Sequence, residues 1–390
     1  MKVKAFVFAG LALVLVGVGV GNWIAQAPTW EWARTFGGRE NDFGFSVQQT
    51  SDGGYILLGS TESFSAGESD IWLIKNDAVG NKLWDKTFGG SGDDKGWSVQ
   101  ETADGGYILL GYTYSFGAGK SDVWLIKTDA TGNLQWEKTF GGCEGDEGAS
   151  VQQTRDGGYI LIGTTENTGW KDIWLIKTDA EGKLLWERTF GGISWDNGSS
   201  VQQTRDGGYI LLGYTYSFGA GSSDFWLIKT DGEGNLLWER TFGERGWDEG
   251  YSVQQTSDGG YILLGYTNSF GVSVRWRDIW LIKTDGEGNV LWERTFDKRG
   301  DEVSFSVQQT RDGGYVLVGS TAPFDVGERD VWLIKTDGEG KLIWERTFGG
   351  RGLDWGSSVQ QTNDDSYILL GGTESFGAGE ADFWLIKYRP

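Results

Sequence analysis

Carboxylates are the groups through which this chain could do chemistry. It carries 55 Asp and Glu residues, no His and one Cys. The absence of His excludes the Ser-His-Asp and Cys-His nucleophile systems and the usual zinc and haem ligand sets. Acid–base catalysis by carboxylates and coordination of Ca²⁺ by oxygen ligands remain open.

Glu101 is the one candidate catalytic residue, because it breaks a repeated pattern. The other copies of its segment have Gln at this position: Gln49, Gln153, Gln203, Gln255, Gln309 and Gln361. A carboxylate on an inner strand can have a raised pKa and serve as a general acid. Glycoside hydrolysis needs a second carboxylate at a defined distance, and the sequence does not locate one. Since Gln-to-Glu is also an easy neutral exchange, the sequence favours a protein without catalytic activity.

An Asp recurs once in each repeat, in a loop. The members of this set are Asp42, Asp94, Asp146, Asp196, Asp248, Asp301 and Asp354. In such a loop Asp ordinarily caps a turn by accepting hydrogen bonds from nearby backbone N–H groups. A ring of carboxylates could instead attract Ca²⁺, although the Asp-x-Asp-x-Asp-Gly spacing of calcium loops is absent. We therefore predict no cofactor, with Ca²⁺ at this ring as the alternative.

Aromatic side chains that break the repeat form the candidate ligand-binding surface. Trp195, Trp247 and Trp355 are predicted in one set of variable loops, and Trp170 and Trp276 in another. A further position, directly before a recurring Ser, differs between copies: Phe45, Trp97, Ala149, Ser199, Tyr251, Phe305 and Ser357. Its larger members could rim the mouth of a central channel. If these side chains are exposed, their faces can stack on sugar rings. The alternative interpretation is that they pack beneath long loops.

The candidate residues are positioned by a repeat of about 50 residues, which indicates a propeller blade. Its most regular stretch is Asp172–Asp179, and copies begin at Asp70, Asp122, Asp224, Asp278, Asp330 and Asp382. In the repeat around this stretch, strands are predicted at 149–154, 159–165, 172–178 and 184–190. Seven such repeats predict an all-β, seven-bladed β-propeller of four-stranded blades.

The two ends of the chain predict how the ring closes. Trp30–Phe36 matches a fourth strand but has no blade before it, and the chain ends on a third strand at Trp384–Lys387. The N-terminal strand should therefore complete the last blade, since a linear solenoid would need caps. Two Trp positions recur in every blade, and we predict that they pack between blades: Trp72, Trp124, Trp174, Trp226, Trp280, Trp332, Trp384, and Trp32, Trp84, Trp136, Trp186, Trp238, Trp292, Trp344.

Strand direction alternates along the repeat, so the loops fall on two faces. The outer-to-inner and second-to-third loops share one face, and their sequences vary between copies. The hairpins on the opposite face are nearly constant. Variable loops on a rigid scaffold are the usual binding surface, so we place ligand binding on the variable-loop face.

Residues 1–27 are predicted to be a signal peptide or an N-terminal membrane anchor, and residues 28–390 the propeller. Lys2 and Lys4 precede the uncharged apolar run Ala5–Gly21, and the small residues of Ala25–Ala27 suit a signal peptidase. An uncleaved run could instead span a bilayer. Either way we expect the propeller to be secreted or on the cell surface, and membrane contact only through this segment.

The net charge of −21 disfavours negatively charged partners. Nucleic acid is disfavoured because phosphate binding needs clustered Lys and Arg, and anionic membrane surfaces are disfavoured for the same reason. A glycan or an extracellular protein remains as partner. We expect the ring to be a monomer.

At Thr178–Trp186 the sequence resembles the Trp-docking motif of quinoprotein-like propellers, although it is one residue shorter between Asp and Gly. Over residues 30–390 it resembles a family of uncharacterised secreted prokaryotic propellers built from Asp-Gly-Gly-Tyr and Trp-Leu-Ile-Lys-Thr-Asp repeats. This resemblance implies an extracellular seven-bladed ring and no particular reaction.

The sequence thus predicts a non-catalytic binding module for a glycan or a protein. The alternatives are a carboxylate-dependent, polysaccharide-active enzyme and a structural envelope protein. The predicted ligand-binding residues are aromatic: Trp97, Trp170, Trp195, Trp247, Trp276, Trp355, Phe45, Tyr251 and Phe305.

Overall fold

Seven four-stranded antiparallel sheets form a closed ring. The computed structural model describes residues 30–167, 169–270, 276–322 and 329–390, so the predicted signal or anchor segment, 1–27, lies outside the described residues. Each sheet follows the chain order of its strands, except one that joins both ends of the chain. The predicted seven-bladed propeller is therefore confirmed. Within the described ranges, no helix is long and apolar enough to cross a membrane.

Within each blade the strands are ordered from the inner edge of the ring to its outer edge. Blade 7 contains β1 (Trp30–Phe36) as its outer strand. Blade 1 contains β2 (Asp42–Gln49), β3 (Tyr55–Thr61), β4 (Asp70–Asn76) and β5 (Lys82–Phe88). Blade 2 contains β6 (Asp94–Glu101), β7 (Tyr107–Thr113), β8 (Asp122–Thr128) and β9 (Leu134–Phe140). Blade 3 contains β10 (Asp146–Gln153), β11 (Tyr159–Asn167), β12 (Trp170–Thr178) and β13 (Leu184–Phe190). Blade 4 contains β14 (Asp196–Gln203), β15 (Tyr209–Thr215), β16 (Asp224–Thr230) and β17 (Leu236–Phe242).

The remaining strands complete the ring. Blade 5 contains β18 (Asp248–Gln255), β19 (Tyr261–Thr267), β20 (Asp278–Thr284) and β21 (Val290–Phe296). Blade 6 contains β22 (Val303–Gln309), β23 (Tyr315–Thr321), β24 (Asp330–Thr336) and β25 (Leu342–Phe348). Blade 7 adds β26 (Asp354–Gln361), β27 (Tyr367–Thr373) and β28 (Asp382–Tyr388). β1 pairs with β28 from Trp30 opposite Tyr388 to Phe36 opposite Phe383, so the chain's first described strand closes the ring as predicted.

The inner strands are longer than the sequence pattern predicts. In blade 3 the predicted strand begins at Ala149, whereas β10 begins at Asp146. The ladder between β10 and β11 is interrupted by a bulge between Gly148 and Ser150. The same irregularity recurs in every inner strand. Residues predicted in the outer-to-inner loops, including the recurring Asp, therefore begin the inner strands in six blades.

The recurring Trp residues pack between neighbouring blades, as predicted. Trp226 of blade 4 is buried in one cluster with Ile160 and Ile162 of blade 3. Its indole N–H donates a hydrogen bond to Glu239 on the outer strand at 3.1 Å, which satisfies the polar edge of a buried ring. Trp186 lies on the outer strand of blade 3, and its partly buried ring packs against the same cluster.

Side chains rather than a β-ladder join the inner strands of neighbouring blades. The backbone N–H of Glu101 donates to Gln48 Oε1 of the preceding blade at 2.6 Å, and the N–H of Val99 donates to Ser46 Oγ at 3.3 Å. The Gln bond recurs at all seven interfaces, each at 2.6 Å. Each inner strand is the edge of its sheet, so the repeated Ser and Gln supply partners that its free N–H groups would otherwise lack.

A buried Lys on each third strand anchors the hairpin between the first two strands. Lys75 is almost fully buried, and its ammonium lies 2.9 Å from Asp52. Burial alone would raise the pKa of Asp52, but hydrogen bonds from Thr50, Lys75 and the backbone of Gly54 outweigh it and lower the pKa to about 2. The equivalent pair recurs in the other blades. This explains why the hairpins on one face are nearly constant in sequence.

Trp186 packs against Gly234 of the next blade, and this contact predicts that Gly234 does not tolerate a side chain. Gly234 has φ +78°, and a Cβ there would lie 2.6 Å from the Trp186 ring. Gly207 has φ +92° in the same blade, but a Cβ there would meet nothing within 4 Å. We expect Gly207→Ala to lower the free energy of unfolding by roughly 1 kcal/mol through backbone strain alone. Gly234→Ala should cost about 3 kcal/mol, because overpacking adds to the same strain.

The comparison is made by urea unfolding followed through Trp fluorescence on both variants and the wild type. Equal losses of stability in the two variants would show that the contact between Trp186 and Gly234 does not constrain the blade interface.

Candidate functional site

The bulge in each inner strand aims one side chain toward the mouth of the central channel. The bulge residue has no partner in the ladder, because the register skips from the residue before it to the residue after it. A bulge of this kind redirects a side chain away from the pleat. The bulge residues are the variable position identified in the sequence: Phe45, Trp97, Ala149, Ser199, Tyr251, Phe305 and Ser357.

All seven bulge residues line one cavity of about 470 Å³ at this mouth. We call this cavity the aromatic basin. The other lining residues come from the starts of inner strands and the ends of second strands: Glu147, Gly148, Thr164, Asn197, Gly198, Tyr214 and Trp355. The seven bulge positions therefore surround one cavity, and ligand binding by them stays a prediction. A volume of this size holds a short peptide segment or a few sugar rings.

The aromatic side chains of the basin support one another. Phe45 and Trp97 lie with ring centroids 4.2 Å apart. Across the basin, Tyr251 meets Phe305 edge-on at 5.2 Å and Tyr214 at 6.1 Å. Such contacts restrict side-chain rotation, so the aromatic wall is formed before a ligand arrives.

One side of the basin, formed by the adjacent blades 3 and 4, is polar, because small bulge residues there leave neighbouring polar side chains accessible. Ala149 and Ser199 occupy the bulges of blades 3 and 4, and Glu147 and Asn197 line the cavity beside them. Glu147 is paired with Lys171 at 3.0 Å.

Other polar groups of the basin also have partners in the protein. Asn197 Oδ1 accepts a hydrogen bond from Thr164 at 2.7 Å. The hydroxyl of Tyr251 donates to Glu249 at 2.7 Å. Burial and the charge of Glu249 raise the pKa of Tyr251 far above its ordinary value, so this hydroxyl is protonated at neutral pH.

The structure brings together five of the nine predicted ligand-binding residues. Phe45, Trp97, Tyr251, Phe305 and Trp355 line the basin. Trp355 was predicted in a loop but is the second residue of β26, where its ring stacks toward Phe43 at 5.7 Å.

The other four predicted residues do not line the basin. Trp170, Trp195, Trp247 and Trp276 are 47%, 56%, 53% and 39% exposed, respectively, at or near the variable loops of blades 3 to 5. Trp170 was predicted in a loop but begins β12, since this hairpin is extended by two residues at each arm. Trp170, Trp195 and Trp247 are about half exposed, so the alternative interpretation that they are covered by long loops does not fit them.

Sequence reasoning missed Glu147, Thr164, Asn197 and Tyr214. Glu147 and Asn197 follow the first Asp of their inner strands, and each pairs across the ladder with a second-strand residue, Thr164 and Tyr214 respectively. Both members of this cross-strand pair differ between blades, for example Lys95 opposite Tyr112 in blade 2. Variation between copies was thus the available signal at these positions.

The recurring Asp caps a turn, as the ordinary interpretation predicted. Asp196 is fully buried and accepts hydrogen bonds from the Gly192 N–H at 2.9 Å and from the Ser217 hydroxyl at 2.6 Å, and also from Thr215. The inclusion of Asp301 in this set was wrong. Blade 6 has Glu302 at the equivalent position, hydrogen-bonded to Thr321.

Asp301 instead forms ion pairs with Arg277 and Arg329. Glu302, like the recurring Asp of the other blades, lies six positions after the last Phe of the preceding outer strand, whereas Asp301 lies five positions after it.

Glu101 lies at the far end of its strand from the basin. Trp97 and Glu101 are separated by four positions on β6, which corresponds to about 13 Å along a strand. Both carboxylate oxygens of Glu101 accept hydrogen bonds from Ser51, at 2.7 Å from its N–H and 2.8 Å from its hydroxyl. Gln153 accepts the equivalent backbone hydrogen bond from Ala103 in the next blade. Glu101 therefore occupies a position that joins hairpins in every blade.

Comparison with known proteins identifies the fold. No protein-family model and no curated protein matches the sequence. Among solved structures, the Pan2 WD40 domain of Neurospora crassa shares 9% identity over 89% of each chain with a TM-score of 0.52. Sqt1 of Chaetomium thermophilum, solved with the N-terminus of ribosomal protein L10, shares 10% identity over 91% of this chain and 98% of that chain with a TM-score of 0.51. BamB of Moraxella catarrhalis shares 12% identity over 89% and 86% with a TM-score of 0.47.

At these identities the likeness shows the propeller fold alone. Membership of the family with Asp-Gly-Gly-Tyr repeats stays a prediction.

The contacts of Glu101 predict that Glu101→Gln is nearly neutral. Gln in the other copies accepts the same backbone hydrogen bond, so we expect the free energy of unfolding to change by less than about 0.5 kcal/mol. Glu101→Ala removes both bonds to Ser51 and should cost about 1 kcal/mol. Urea unfolding of both variants provides the measurement. A large loss of stability in Glu101→Gln would contradict this expectation and would show that the negative charge of Glu101 itself stabilises the fold.

Proposed function

We propose that this protein is a non-catalytic binding module that captures a peptide segment of a partner protein in the aromatic basin. The observation that carries the proposal is the convergence of four aromatic bulge residues on one cavity, beside three small ones that leave space. Anchoring of an apolar or aromatic ligand side chain in such a pocket is a usual source of affinity in protein recognition.

The polar side chains of the basin already bond to other protein groups, and this favours a peptide over a sugar as the ligand. Recognition of a sugar needs side chains that are free to bond its hydroxyls. In the basin, Glu147 is paired with Lys171, and the Oδ1 atom of Asn197 accepts from Thr164. The Tyr251 hydroxyl donates a hydrogen bond to Glu249. What the basin offers is mainly apolar contact, which suits an aliphatic or aromatic residue of a protein.

The comparisons are compatible with this role. One structure with the same fold, Sqt1, was solved with the N-terminus of a ribosomal protein bound. The predicted signal or anchor segment at residues 1–27 would place the partner outside the cytoplasm, in solution or at the cell surface.

The basin predicts the composition of its ligands. Selection of short random peptides on the purified protein should enrich sequences with aromatic or large aliphatic residues. Trp97→Ser and Phe305→Ser should weaken binding of the enriched peptides by at least about tenfold, because each removes an anchoring wall. Ser occupies this position in blades 4 and 7, so both variants are expected to fold. Fluorescence anisotropy of labelled peptides provides the dissociation constants.

Trp195→Ser is the matched control, because it removes an exposed Trp that does not line the basin. It should bind the enriched peptides as the wild type does. Failure to enrich any peptide, or unchanged binding by Trp97→Ser and Phe305→Ser, would contradict the proposed function.

Exposed Trp side chains favour glycan binding as a second candidate function. Trp195 and Trp247 are more than half exposed on loops that lead into adjacent blades 4 and 5. Flat exposed rings of this kind suit stacking on a polysaccharide. In this case a Trp195→Ser, Trp247→Ser double variant should lose retention on a polysaccharide that retards the wild type, while Trp97→Ser is still retained.

The measurement is affinity electrophoresis through gels that contain a panel of polysaccharides, with reducing ends assayed in parallel. No retardation by any polysaccharide would remove the glycan candidate, and release of reducing ends would support the alternative of a polysaccharide-active enzyme.

A further inference from the structure

Two acidic residues lie close together at each interface between blades, and at six of the seven interfaces a Gly lies beside them. Between blades 4 and 5, Asp224 of the third strand lies near Asp248 of the next inner strand. Burial, and to a smaller extent the charge of Asp248, raise the pKa of Asp224. A Cβ on Gly243 would lie 1.8 Å from Asp224 Oδ1 and 2.7 Å from Asp248 Oδ2, so these two carboxylates leave no room for a side chain there. Six interfaces have Gly at this position: Gly37, Gly89, Gly141, Gly191, Gly243 and Gly349.

The interface between blades 5 and 6 departs from this pattern at two positions. Asp297 stands where the other interfaces have Gly, and Glu302 stands where they have Asp. Together with Asp278 they bring three carboxylates to one point, with one oxygen of each within 4.8 Å of the others. Asp278 and Glu302 are 1% and 0% exposed, and Asp297 is half-buried.

The carboxylate of Glu302 uses only one of its two oxygens in a hydrogen bond within the described residues. Oε1 of Glu302 accepts from the Thr321 hydroxyl at 3.1 Å. Oε2 is buried and has no hydrogen-bond partner among the described residues. A buried carboxylate oxygen without a hydrogen-bond partner also occurs on Asp224 between blades 4 and 5, but only two carboxylates meet there, whereas three meet here. A buried carboxylate oxygen without a donor is costly, whether the group keeps its charge or takes up a proton, and a cation bound beside it would remove that cost.

Three basic side chains of the neighbouring loops pair with groups outside the cluster. Arg277 and Arg329 pair with Asp301. The Lys298 ammonium lies 3.3 Å from Glu345 and over the ring of Trp332. Three close carboxylates in a poorly solvated position repel one another, and a bound cation is the usual way for proteins to retain such a group.

We propose that Asp278, Asp297 and Glu302 bind one Ca²⁺ ion between blades 5 and 6. Ca²⁺ takes oxygen ligands at about 2.4 Å, so three carboxylate oxygens that all lie within 4.8 Å of one another are close enough to share one ion. Ca²⁺ is favoured over Mg²⁺ because it tolerates irregular carboxylate arrangements, whereas Mg²⁺ demands near-octahedral geometry. The ion ties the start of β22 to blade 5 and so steadies the strand that presents Phe305 to the basin. This site is separate from the ring of recurring Asp residues considered in the sequence.

The test uses the purified full-length chain after treatment with EDTA and desalting. Isothermal titration with CaCl₂ should show one ion per chain, and the melting temperature should rise in Ca²⁺, because an ion that binds only the folded state stabilises it. Asp297→Gly restores the residue found at the other interfaces and should weaken Ca²⁺ binding at least tenfold. In EDTA this variant should melt close to the wild type, because the loss of a repelling charge offsets the loss of the hydrogen bond that Asp297 accepts from the Arg299 N–H.

Glu302→Gln is the second variant, since it keeps the size of the side chain and removes its charge. It should also lose the Ca²⁺-dependent rise in melting temperature. Glu339→Gln, an exposed carboxylate on a hairpin of blade 6, is the matched control and should bind as the wild type does. The proposal is overturned if millimolar Ca²⁺ gives neither heat nor a shift in melting temperature, if both variants bind like the wild type, or if Mg²⁺ binds more tightly.

Discussion

Each inner strand is the edge of its own sheet, and the rest of the structure depends on how its free N–H groups are paired. Neighbouring inner strands do not continue one another's ladder. The side chain of Gln48 reaches the backbone of Glu101 at 2.6 Å, and the same bond joins each later blade to the next and blade 7 to blade 1. The length of a Gln side chain therefore sets the separation of inner strands. This separation fixes the width of the channel and lets one residue from each blade converge at its mouth.

The constraint divides the molecule into a constant face and a variable face. At the constant face the hairpins contribute bonds that every interface needs, such as the pair of Lys75 and Asp52 or the bonds from Ser51 to Glu101. Substitutions there remove folding contacts. At the variable face the bulge residue has no partner in the ladder, so its identity can change without loss of a backbone hydrogen bond. Phe305 and Ser357 occupy equivalent bulges in adjacent blades.

Departures from the repeat mark the places where the molecule does more than fold. The aromatic basin arises because four bulges carry large rings and three carry Ala or Ser. The acidic cluster arises because one interface replaces a Gly required elsewhere by Asp297. The pattern also explains the weakness of Glu101 as a catalytic candidate. Glu101 accepts the same backbone hydrogen bond as Gln does in the other blades. The exchange of Gln for Glu therefore keeps the contact that the repeat requires at this position.

The sequence by itself determined the number of blades, the strand order, the closure through Trp30–Phe36 and the packing role of the fourteen Trp residues. These follow from local periodicity and from repetition of one unit, which are visible along the chain. The tertiary structure alone decided which variable residues meet, because the bulge that aims Trp97 and Tyr251 at one cavity depends on the register between two strands. It also decided that Asp301 pairs with Arg277 and Arg329. These side chains come from different loops, and the repeat along the chain does not show which loops meet in the ring.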